Sequence, residues 1–179
     1  CRPPSTTRQN QGTSMTTYPK GISQTMKMTL VERDDWISAL LSDRYPKGTG
    51  ALKTHHQKTG LDYYCCLGVL CEINVKRFDL RMSREEDSDE WTFSGAQGLL
   101  PRVMSEKYDS RSHGLNVPKS LLTEVEVQYL VDRRVEPSAY HDAEGNPQES
   151  YFLTVLNDQG FTFERITDFI KQLVEIVPK

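Results

Sequence analysis

Apolar positions gather in three places along the chain and thin out between them. The densest is Tyr63-Tyr64-Cys65-Cys66-Leu67-Gly68-Val69-Leu70-Cys71-Glu72-Ile73, with one charge and three of the four cysteines. Burying such a run is favourable by about 25 cal/mol for every Å² of apolar surface, so it is read as core. The Tyr pair favours strand, and the Leu/Gly/Val mix after it fits a buried helix. The reading is a strand ending near Cys65 and a helix from about Leu67 to Asn74, with Cys65 and Cys66 at the junction.

Upstream, Thr29-Leu30-Val31-Glu32 has the spacing of a capping box. Leu30, Ile37 and Leu41, with Trp36 and Leu40 beside them, make a stripe at helical period, stopped by Tyr45-Pro46 and the turn Lys47-Gly48-Thr49-Gly50. Ala51–Thr54, a polar turn His55–Gly60, and Leu61–Cys65 read as a β-hairpin feeding the central run. Downstream, Arg81–Glu90 reads as a solvated loop, Trp91-Thr92-Phe93 as a short strand, and Pro101 as the start of a short helix carrying Val103, Met104 and Tyr108. Residues 109–118 read as loop. Val125, Val127, Tyr129 and Val131 alternate with polar positions, so 121–134 is taken as strand, although Leu122, Val125 and Tyr129 also fit a helix face. Residues 142–147 read as a turn.

The third apolar cluster is C-terminal. A helix through Tyr151, Phe152, Val155 and Leu156 is expected, then a break at Asn157-Asp158-Gln159-Gly160 and a second helix capped by Thr162. Phe161 and Ile166 have the placing of a hydrophobic staple, and Ile166, Phe169, Ile170, Leu173 and Val174 form its buried face. The fold class expected is α+β: helices at both ends of the ordered region packed on a small antiparallel sheet or hairpin. One core is expected to hold Trp36, Leu67, Val69, Leu70, Phe152, Leu156, Ile166 and Ile170.

Composition adjusts this picture at the N-terminus. Residues 1–28 are rich in Thr, Ser, Gln and Pro, and cannot bury enough surface to offset ordering, so they read as a disordered or cloning-derived leader, with a single globular domain over 29–179. The net charge of −3 divides into +4 on residues 1–29 and −7 on the rest. An acidic body argues against nucleic acid as partner. No apolar run reaches the roughly 18 residues of a membrane span, and the cysteine spacing is no secreted disulfide framework, so a cytoplasmic setting is expected.

Three pieces in order, Trp36-Ile37-Ser38-Ala39-Leu40, Cys65 to Cys71, and Leu156-Asn157-Asp158-Gln159-Gly160-Phe161-Thr162-Phe163-Glu164-Arg165-Ile166, resemble a group of small uncharacterised proteins of bacteriophages and bacterial genomes. The resemblance implies a phage or bacterial origin and carries no activity with it.

Candidate chemistry centres on the cysteines. Tyr64-Cys65-Cys66-Leu67-Gly68-Val69-Leu70 is similar to the nucleophile segment of NlpC/P60 peptidases, and Leu100-Pro101-Arg102 echoes a downstream segment of them. On that resemblance Cys66 would be the nucleophile of a papain-type hydrolase, with His55 or His56 as the candidate base; His113 and His141 lack the strand that follows the family's histidine. A zinc site from Cys65, Cys66, Cys71 and His55 or His56 lacks the usual two-to-four-residue cysteine spacing, so no metal and no cofactor is expected. Leu156–Ile166 has the start of a helix-turn-helix, but too few basic residues follow, and an αα-corner is the reading preferred. By elimination the function expected is a non-enzymatic interaction or regulatory protein, binding a host protein or a small molecule.

Overall fold

The Thr29 signature starts a helix. In the computed structural model, which describes residues 26–84, 88–110, 114–141 and 146–178, Thr29 caps α1 (Leu30–Leu40) with both bonds of a capping box to Glu32. Trp36, Ile37 and Leu40 are buried, whereas Leu30 and Leu41, counted in the expected stripe, are exposed. Order begins before Thr29. Met26 and Met28 are fully buried, and β1 (Lys27–Met28) pairs in parallel with β9 (Glu175–Ile176). The expected boundary therefore moves to Met26: the two methionines supply core side chains that the polar leader composition concealed. Residues 1–25 lie outside the described residues.

The hairpin forms as β2 (Lys53–His56) and β3 (Leu61–Tyr64), within a four-stranded antiparallel sheet ordered β3-β2-β5-β4. His55 and His56 belong to β2 and not to the turn. The reversal is tighter than expected, with Thr59 and Gly60 N–H both donating to the His56 carbonyl and Gly60 at φ +68. β5 (Glu90–Phe93) matches the Trp91–Phe93 expectation. β4 (Met82–Arg84) corrects part of the expected loop: Met82 pairs with Phe93, and the Ser83 and Thr92 hydroxyls bond at 2.8 Å. α2 (Cys66–Ile73) follows β3 directly, with Cys65 as its cap. α3 (Arg102–Lys107) follows Pro101 and buries Met104.

A second antiparallel sheet, ordered β6-β8-β7, contains β6 (Asn116–Pro118), β7 (Ser138–His141) and β8 (Pro147–Phe152). β6 lies in the stretch expected as loop, and β8 takes Tyr151 and Phe152 from the expected helix. Tyr151 pairs with Val117, so α5 (Leu153–Asp158) begins later. Phe152 is half-buried at the helix start, outside the core it was assigned to.

The strand reading of 121–134 is overturned. α4 (Glu124–Asp132) is a helix, because Thr123 and Glu126 form a second capping box with the spacing of the first. The valines that suggested β-alternation are partly on its outside: Val125 is 79% exposed and Val131 55%. α6 (Phe163–Leu173) is capped by Thr162 and buries Ile166, Phe169 and Ile170, as its periodicity requires.

Trp36, Leu67, Val69, Leu70, Leu156, Ile166 and Ile170 share one buried cluster. The fold is α+β, with α1 and α6 packed together near the two ends of the described chain and two antiparallel sheets where one was expected. No helix among the described residues is long and apolar enough to cross a membrane.

Candidate functional site

The start of α2 is pressed against the start of β2. Cys65 N–H donates to the Leu52 carbonyl at 3.2 Å, and a Cβ on Gly68 would stand 1.6 Å from that oxygen. Only glycine allows the approach. Cys65 caps the helix with its thiol, which accepts the Gly68 N–H at 3.4 Å. Cys66 is fully buried; its Sγ lies 4.0 Å from the Leu153 carbonyl, and its own carbonyl accepts the Trp36 indole N–H at 3.0 Å.

The loop between α1 and β2 is strapped onto the end of α5 beside these thiols. Lys47 Nζ donates to the Asn157 carbonyl at 2.8 Å, Asn157 Nδ2 to the Gly48 carbonyl at 2.9 Å, and Gly50 N–H to Asp158 Oδ1 at 2.9 Å. A hydrogen bond thus joins the Trp36 and Cys65–Cys71 stretches, and Leu156 packs in the same buried cluster.

The thiols differ. A hydrogen bond from the Cys66 thiol lowers the Cys65 pKa; burial opposes it, and the Gly68 and Leu67 N–H groups add to the lowering, so Cys65 sits below the ordinary thiol value. Burial pushes Cys66 and Cys71 well up. Burial also lowers Lys47, against the pull of Cys66, Asp158 and Cys65.

Neither candidate histidine faces Cys66. His55 sits opposite Asp62, its Nδ1 2.8 Å from Asp62 Oδ1. His56 Nδ1 lies 3.0 Å from Thr59 Oγ1. Tyr64, the last residue of β3, pairs with Lys53, so His55 is two rungs farther from the cysteines, about 7 Å along the strand. His141 pairs through its backbone with Pro147, and His113 lies outside the described residues. Among the described residues no three His, Cys, Asp or Glu side chains are gathered as metal ligands.

A feature missing from the sequence reading lies across the first sheet. Tyr64, Lys53, Trp91 and Arg84 occupy one rung. The buried Lys53 ammonium stands 5.1 Å from the Tyr64 ring centroid and 4.9 Å from that of Trp91, with Arg84 5.4 Å from Trp91. Asp62 and Glu72 reach the ammonium at 3.1 and 3.4 Å. Burial works to lower the Lys53 pKa; the Tyr64 hydroxyl, Asp62 and Glu72 outweigh it and leave it raised. Nothing in the local pattern separates this lysine from a solvated one.

A cleft lies elsewhere, between the 3-10 turn Lys119–Leu121, α4 and the start of β8, with a volume of about 650 Å³. Leu122 and Val127 line it, and Lys119 and Glu149 pair at 2.5 Å beside it. α4 is held by buried Leu130 and by Arg165 of α6, which forks onto Glu126 at 2.7 and 2.9 Å and donates to the Leu121 carbonyl at 3.0 Å. That bond set engages Arg165, one of the two basic residues of α6.

A family model, a domain of unknown function (DUF8296), matches residues 26–174. The chain belongs to this family. The DUF8296 span opens at Met26, the first buried methionine, and closes at the cap of α6, so it contains both the cysteine junction and the α4–β8 cleft. No curated protein and no solved structure matches the chain.

Proposed function

We propose that the chain is a non-enzymatic interaction protein of phage or bacterial origin, acting in the cytoplasm, that binds a partner protein through α4 and the cleft beside it. The observation that carries the reading is the outer face of α4. A helix that buries only Leu130, exposes Val125 and Val131 and lends Val127 and Gln128 to an open cleft has apolar surface left for a partner. Arg165 and Tyr129, whose hydroxyl donates to the Gln159 carbonyl at 2.8 Å, fix the helix before any partner arrives, which keeps the ordering cost of binding low. A photocrosslinking residue at position 125, introduced into the chain in its host, should give a discrete protein adduct that Val131→Lys abolishes. Equal adducts from position 125 and from position 58, in the hairpin turn on the other sheet, would sink the reading.

A cysteine hydrolase keeps one specific observation in its favour, at Cys65. Its sulfur is at the N-terminus of α2 and is held toward the thiolate by the helix N–H groups. Cys66, the nucleophile suggested by the NlpC/P60 resemblance, has the opposite setting. The order in which the three thiols are alkylated separates the two readings.

A further inference from the structure

The loop that carries Lys47 is fixed on both sides of it. Gly48 N–H donates to the Tyr64 carbonyl at 2.7 Å and Tyr64 N–H to the Pro46 carbonyl at 2.8 Å, so Lys47 runs alongside the end of β3. A Cβ on Gly48 would stand 2.9 Å from that of Tyr63, which shows how closely the loop is pressed down. From this held backbone the Lys47 ammonium reaches the main chain of Asn157 at 2.8 Å, and it forms no ion pair among the described residues. Burial lowers its pKa against the pull of Cys66, Asp158 and Cys65, so its neutral, nucleophilic form is reached at a lower pH than for a solvated lysine.

The Asn157 side chain is fully buried and anchored at one end. Its Nδ2 donates to the Gly48 carbonyl at 2.9 Å and to Asp158 Oδ1 at 3.2 Å, whereas its Oδ1 accepts no hydrogen bond among the described residues. A buried amide that served only as a tie would satisfy both ends. Here the anchored end is the nitrogen, and one of its acceptors is a carboxylate.

We infer that Lys47 and Asn157 condense into an intramolecular isopeptide bond, with Asp158 as the proton carrier. The neutral Lys47 amine adds to Asn157 Cγ, forming the Nζ–Cγ bond. The Asp158 carboxylate takes the proton that Nζ sheds and hands it to Nδ2. The Cγ–Nδ2 bond then breaks, its electron pair stays on nitrogen, and ammonia leaves. Amine and primary amide have become a secondary amide and ammonia, with no oxidant and no further reactant. Packing holds amine, amide and carboxylate in one hydrogen-bonded set, which makes the condensation unimolecular. The new bond closes a loop between residues 110 apart and restricts the unfolded chain as a disulfide of that span would.

The mass of the intact full chain, purified and held overnight at mildly alkaline pH, tests this. It should be lighter than the sequence by one ammonia, and protease digestion should release a branched peptide joining Lys47 to Asn157. Lys47→Arg keeps the charge but offers no amine, and should carry the full mass. Asp158→Asn should slow the loss on the order of a hundredfold, the usual size of a lost proton carrier. A parent chain at full mass would overturn the inference. So would a loss of ammonia that survives in Lys47→Arg and yields only linear peptides, because that marks a cyclic imide formed when the Asp158 main-chain nitrogen attacks Asn157. If Lys47→Arg fails to fold, the presence or absence of the branched peptide in the parent decides alone.

Discussion

The Trp36 indole N–H donates to the Cys66 carbonyl at 3.0 Å, across 30 residues of chain. One bond thus ties the α1 motif to the cysteine motif. The phenyl ring of Trp36→Phe would keep part of the packing and lose the donor. That should cost about 1–3 kcal/mol in urea unfolding, the usual penalty for breaking a buried hydrogen bond. A cost near zero would mean that the carbonyl finds another partner.

Gly68→Ala should be far worse. Its Cβ would fall 1.6 Å from the Leu52 oxygen and 2.5 Å from the Leu52 carbonyl carbon, both main chain, so β2 or α2 must move. We expect more than ~3 kcal/mol, beyond ordinary overpacking, and little soluble protein on expression. Gly98→Ala, with its nearest contact at 3.6 Å, is the control and should melt near the parent.

The Lys53 cluster predicts a pH signature. Burial works to raise Asp62, but His55 and Lys53 outweigh it and hold the carboxylate below its usual value. Its contribution is therefore present above the unfolded value of about 3.9 and is lost as pH falls through the lower folded value. Lys53 is raised, so its contribution is present below about 10.4 and is lost as pH rises through the higher folded value. Lys53→Met should cost on the order of 2 kcal/mol at neutral pH, because Asp62 and Glu72 lose their buried partner. The cost should shrink as acid protonates both carboxylates. Equal costs at neutral and acid pH, from urea melts of both proteins, would rule out the ion cluster as its source.

The thiols should react in a set order. Cys66 and Cys71, buried and pushed up, should be alkylated only on global unfolding. Cys65, 3% exposed but held toward the thiolate, should react first when the α2 start opens. Mass-resolved labelling against pH reads the order directly. Rapid labelling of Cys66 in the native protein at mildly acid pH would contradict the structural role and favour a hydrolase.

How much of this was legible in the sequence depended on whether the signal was local. The Thr29 capping box, the Cys65 junction and the Thr162 cap each sit within a few residues, and each forms where it was read. The Thr123–Glu126 box has the same spacing but went unread beside the alternating valines, although β-propensity mostly reports packing that a single chain does not display. Tyr151 and Phe152 fitted a helix period and became strand because Val117 and Asn116 pair with them. The candidate site was less legible still. The cysteines were visible, but what surrounds them comes from Trp36, Lys47, Leu153 and Asn157, and the cleft is bounded by segments that only tertiary packing brings together.

The parallel pairing of β1 with β9 has a mechanical consequence. Glu175 N–H donates to the Met26 carbonyl and Val177 N–H to that of Met28. The chain enters β1 at one end of this pair and leaves β9 at the other. Tension applied through flanking polypeptide therefore pulls the two strands past each other and loads both bonds together, instead of peeling them apart in turn. Whatever is joined before Met26 or after Pro178 hangs from a clasp that fails as one unit.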